Sequence, residues 1–135
     1  MDKRVIIPSG QEEHSPSVAA SSSGYLVVWQ DQRNGNADIY GARVTTAGVV
    51  SDPAGLPIST AANDQASPSV AASSSGYLVV WRDERGGSDL DIYGTRVTTA
   101  GVVSDLDGIA ISTNAASSLS DLARPVSFLS FPKFL

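Results

Sequence analysis

The chain contains no cysteine, which excludes a disulfide framework, a thiolate metal site and a cysteine nucleophile. Its single histidine, His14, excludes any site built from several imidazoles. Cations are few: Lys and Arg number 9 against 14 Asp and Glu, giving a net charge of -5 and a pI near 4.6. That balance argues against a nucleic-acid partner, whose affinity comes largely from Lys and Arg neutralising phosphates. No run approaches the roughly 20 apolar residues of a membrane helix, so no membrane insertion is expected. The opening MDKRVII is too short and too polar for a complete signal peptide. A helical hydrophobic period is also missing throughout.

What is present is a repeat. The stretch SPSVAASSSGYLVVW runs from Ser15 to Trp29 and recurs letter for letter from Ser67 to Trp81. RNGNADIY then faces RGGSDLDIY, one residue longer, and DIYGARVTTAGVVSD faces DIYGTRVTTAGVVSD, which differs only at Ala42 and Thr95. Backwards, Ile6 stands where Ile58 stands; forwards, Asp121 to Pro125 only faintly echoes Asp64 to Pro68. The frame therefore divides the chain into 1–14, the last strand of a preceding unit with its lead-in; 15–60, a first full unit; 61–113, a second; and 114–135, a degraded third repeat or tail. With 41% hydrophobic and 17% charged residues in 14.0 kDa, the composition is that of a globular domain.

Each unit of about 52 residues reads as four strands. PSVAAS alternates weakly and stops at SSSG, a run of turn formers. Tyr25 to Trp29 is continuously apolar, β-branched and aromatic, the pattern of a strand covered on both faces. NGN or RGGSD connects it to DIYGARVTT or its twin, which breaks at Ala47-Gly48 or Ala100-Gly101, and a short fourth strand lies around Leu56 to Ser59. Four antiparallel strands in such a unit are expected to form a β-propeller blade, with a β-sandwich built by duplication as the competing architecture.

The stretch from Ser-Pro through Tyr-Leu-Val-Val-Trp-x-Asp-x-Arg-x-Gly to Asp-Ile-Tyr and Ala-Gly resembles the repeats of TolB-type β-propellers, closest to the longer Trp-x-Asp-x-Arg variety of bacterial surface and secreted proteins. The likeness covers about 30 residues of each copy. It departs in unit length and in having SSSG where the family carries Ser-Pro-Asp-Gly. The resemblance implies a propeller fold, a binding or scaffolding role, and an extracellular or periplasmic setting.

A propeller typically needs four to eight blades, and two units supply two. If each outer blade face holds on the order of 400 Å² of apolar area, leaving it wet forgoes roughly 10 kcal/mol. A head-to-tail homo-oligomer is therefore expected, with three copies giving six blades preferred over four copies giving eight. The surplus strand around Ile6 would complete a neighbour's blade or mark a fragment of a longer array. The apolar tail Phe128 to Leu135 would be a failed blade or an interface clasp.

The repeated hairpin gathers the functional groups: Trp29, Asp31 and Arg33 with Trp81, Asp83 and Arg85, followed by Asp38, Tyr40, Asp91 and Tyr93. As a ligand site, the first six would stack on and hydrogen-bond a glycan or small molecule. As structure, the tryptophan fills the space between blades while Asp and Arg brace the hairpin, and Asp38, Tyr40, Asp91 and Tyr93 shape it. Identical residues in each repeat favour bracing. Asp31, Asp38 and Asp52 lack the close acidic spacing of a calcium loop, so no metal and no cofactor are expected. His14 faces Ala66 in the second copy and carries no repeated role; SSSG is a turn without a base; NGN is too short to cradle phosphate. No unpaired acid or base stands out for catalysis, so a non-enzymatic module is expected.

Overall fold

The structure is a computed structural model that describes residues 12–87 and 89–113. Eight strands account for its regular structure: β1 Glu13–Ser21, β2 Gly24–Asp31, β3 Asp38–Val44, β4 Leu56–Ser59, β5 Gln65–Ser73, β6 Gly76–Asp83, β7 Asp91–Val97 and β8 Ile109–Ser112. They make two four-stranded antiparallel sheets, ordered β1-β2-β3-β4 and β5-β6-β7-β8. Among the described residues there is no helix, and none that crosses a membrane. The expected all-β class and the four strands per unit are present. The segments around Ile6 and from Asp121 through the apolar tail lie outside the described residues.

The register follows the repeat. Trp29 pairs with Tyr40 and Asp31 with Asp38, as Trp81 pairs with Tyr93 and Asp83 with Asp91. A bulge breaks the pairing of β1 with β2 after His14 and of β5 with β6 after Ala66, where Ser15 and Ser67 adopt φ of 59° and 54°. The SSSG turn closes because Gly24 and Gly76, at φ 134° and 150°, let the chain press on β3 and β7. A Cβ there would lie 2.5 and 2.7 Å from the Val44 and Val97 carbonyl oxygens.

One expectation needs correction. The third strand ends at Val44 or Val97 rather than running through the paired threonines, because the next residue starts a tight loop. Thr45 N–H donates to Val49 O at 2.8 Å while Val49 N–H donates to Thr45 Oγ1 at 3.0 Å, and Thr98 repeats this with Val102. Among the described residues the YLVVW strand of each sheet is covered on one face only, and its other face is the outer face of the pair. In β2, Leu26 and Val28 are fully buried but Tyr25 is 42% exposed; in β6, Tyr77 and Val79 are buried but Leu78 is 41% exposed.

Period-two alternation explains the pattern. The core joins Leu26, Val28, Ile39 and Ile58 of the first sheet to Tyr77, Val79, Trp81 and Val97 of the second. Tyr25 is the counterpart of Tyr77, and Leu26 of Leu78. Two nearly identical sheets thus meet through opposite faces, with β5 lying against β1, β2 and β3.

Candidate functional site

The bend after β2 places Trp29, Asp31 and Arg33 in one cluster. Trp29 Nε1–H donates to Asp31 Oδ2 at 2.8 Å, and Arg33 donates through Nε to Oδ1 and through Nη2 to Oδ2, both at 2.8 Å. The Arg33 backbone N–H adds a bond to Oδ1 at 3.0 Å. Four donors therefore occupy a carboxylate with about four lone-pair sites. Burial pushes the Asp31 carboxyl up, but the Arg33 and Trp29 bonds outweigh it and hold the group below the usual carboxylate range. Arg33 Nη1–H reaches the Ala54 carbonyl at 2.8 Å, and its guanidinium lies 4.0 Å over the Tyr40 ring. Gly55, at φ 86°, packs against the stack, where a Cβ would meet Arg33 and Tyr40 each at 3.2 Å.

The second copy rebuilds this arrangement. Trp81 Nε1–H and Arg85 Nε, Nη2 and backbone N–H all donate to Asp83 at 2.8 Å, Arg85 Nη1–H donates to Asp107 O at 2.7 Å, and the guanidinium lies 3.8 Å over Tyr93. Burial acts first on Asp83 as well, and its four bonds again hold the carboxyl low. Both acids are fully occupied inside their own hairpins, an arrangement suited to bracing. Trp81 is 2% exposed, whereas Trp29 sits half-buried on the free side of its sheet.

Asp38 differs from its counterpart. It is buried, Asn34 Nδ2–H donates to its Oδ2 at 3.0 Å, and Oδ1 has no hydrogen-bond partner among the described residues. Burial, with the charges of Asp31 and Asp64 nearby, pushes its carboxyl above the ordinary value. Asp91 is half-exposed opposite Asp83, and Gly86 stands where Asn34 stands, so the amide donor is absent from the second copy. Asp52 is separately engaged by Arg43, and His14 is exposed. Among the described residues no three acidic or histidine side chains gather at one point.

Sequence reasoning missed two sets of residues. Arg43 and Asp52 form a two-pronged ion pair at 2.8 Å, repeated by Arg96 and Asp105. The Arg96 hydrogen bonds lower the Asp105 carboxyl to about 2. The invariant RVTTAGVVSD carried that signal. The joint between the sheets was not legible: Tyr77 Oη lies 2.9 Å from Ser21 Oγ and donates to the Gly24 carbonyl at 3.4 Å. Ala37 N–H donates to Asp64 Oδ1 at 2.9 Å, and Gln65 N–H to Ala37 O at 2.8 Å. Gly101 packs on the Arg43 guanidinium, with a would-be Cβ only 2.7 Å from Nε.

On the side of the second sheet turned away from the first, the described residues form an open groove of about 660 Å³, lined by Ser73, Ser75, Gly76, Leu78, Val97 and Ile109 among others. No family model, no curated protein and no solved structure matches this chain.

Proposed function

We propose that the chain is a non-enzymatic, two-bladed β-propeller module of TolB-like repeats that associates head to tail with its own copies into a closed ring and serves as a binding or structural scaffold. The observation that carries this reading is the packing of near-identical sheets through opposite faces. A sandwich of two duplicated sheets related by a two-fold axis would bury the same face of each copy. Successive blades of a ring bury unlike faces, leaving one face of each kind at the two ends. Sheets that meander in chain order, with β5 seated beside β1, fit blades arranged about an axis.

The alternative reading, a glycan or small-ligand binder with sites between blades, draws on the half-exposed Trp29. Bracing takes precedence because Asp31 and Asp83 are saturated within their hairpins. Light scattering tests the main reading: a discrete mass several times 14.0 kDa is expected, with three chains preferred. A monomer that persists at high concentration refutes it.

A further inference from the structure

We infer that the groove on the free face of the second sheet is the receptor for Tyr25 of a second copy of this chain, so that the joint inside one chain is the template for the joint between chains. The inference rests on the self-assembly reading above and names its docking surface. Inside the chain, Tyr77 reaches Ser21 Oγ at 2.9 Å and the Gly24 carbonyl. The free counterparts are Tyr25, 42% exposed on the first sheet, and Ser73 and Gly76, which line the groove of about 660 Å³ on the second.

The apolar surfaces around these groups match in the same way. Leu26 and Ile58 are 0% and 3% exposed in the internal joint, while their free equivalents Leu78 and Ile111 are 41% and 50% exposed. At the rim, Gly101 packs on Arg43, and the free equivalents are Gly48, with nothing within 4 Å of a Cβ, and Arg96, whose side chain is 67% exposed. One charge difference supports pairing between chains. Gln30, which accepts from Ser67 N–H at 3.3 Å, is replaced by the exposed Arg82, and Asp64-Gln65, just before Ser67, is replaced by Glu12-Glu13, just before Ser15. In a joint of the same geometry, Arg82 of one copy faces Ser15 of the next, two residues from Glu13, and brings a cation to an acidic segment.

Two one-sided variants test the docking pair. Tyr25→Glu blocks the first-sheet face and Leu78→Glu the second-sheet face; each alone is expected to sediment as a monomer with unchanged far-ultraviolet circular dichroism. Mixed in equal amounts they retain one intact pair of faces and are expected to form a heterodimer and nothing larger. Trp29 fluorescence of the Leu78→Glu chain should shift to the blue on mixing, because that face becomes covered. Tyr25→Phe, which loses only the hydroxyl, should assemble about fivefold more weakly. If either charge unfolds the chain, Tyr25→Ala and Leu78→Ala replace them, with homotypic association weakened at least about tenfold. Wild-type assembly that persists in a blocked variant, or a folded pair that stays monomeric on mixing, overturns the docking surface while leaving self-association standing. A monomeric wild-type chain instead overturns the ring itself.

Discussion

At the scale of single residues, the hairpin acids divide into two kinds with opposite responses. Asp83 holds the buried Trp81 indole N–H and the Arg85 guanidinium together, so its removal strands a donor away from water. Asp83→Ala is expected to cost about 3 kcal/mol in urea unfolding, and Asp83→Asn distinctly less because one acceptor oxygen remains. A loss below about 1 kcal/mol for the alanine variant would show that the brace contributes little. Asp38 works the other way. Its carboxyl is raised in the folded chain, so its contribution is most favourable below the unfolded value near pH 4 and is lost as pH rises through the folded value. Asp38→Asn removes that dependence. The variant should gain stability relative to wild type between about pH 4 and pH 7, and a constant difference across that range would contradict the assignment.

At the scale of elements, strand order and hairpin content were legible because each depends on local pattern. The apolar run of β2 and β6, the glycine-ended turn at Ser21 to Gly24, and the repeated Asp-Ile-Tyr of β3 and β7 mark their own positions. The Trp-Asp-Arg cluster was legible for the same reason, since its partners lie within a few residues along the chain. Burial of the strands was not. YLVVW is apolar at every position, so its sequence cannot say which face meets the neighbouring sheet, and identical letters end buried in one copy and exposed in the other. The ends of β3 and β7 escaped notice because the loop that stops them is built by threonine hydroxyls, in a residue type that favours strands. Contacts such as Tyr77 with Ser21 join residues in different repeats, where periodicity within one repeat carries no information.

At the scale of the whole molecule, the two tryptophans occupy equivalent positions in sequence and different positions in space, because the two sheets meet through opposite faces. Trp81 lies in the internal joint, 2% exposed within one chain. Trp29 lies half-buried on the opposite sheet face, where the proposed neighbour would sit. Assembly makes the stability of an oligomer depend on protomer concentration, and closure into a ring fixes a ceiling on its mass that an open filament lacks. Single-tryptophan variants separate these effects. In Trp81→Phe, emission from Trp29 should move to the blue and resist acrylamide quenching as concentration rises through the assembly range, then stop changing once rings close. In Trp29→Phe, emission from Trp81 should stay constant over the same range, because its surroundings belong to one chain. Equal concentration dependence of both signals would mean that the internal joint itself forms only on association, making the folded monomer an intermediate without independent stability.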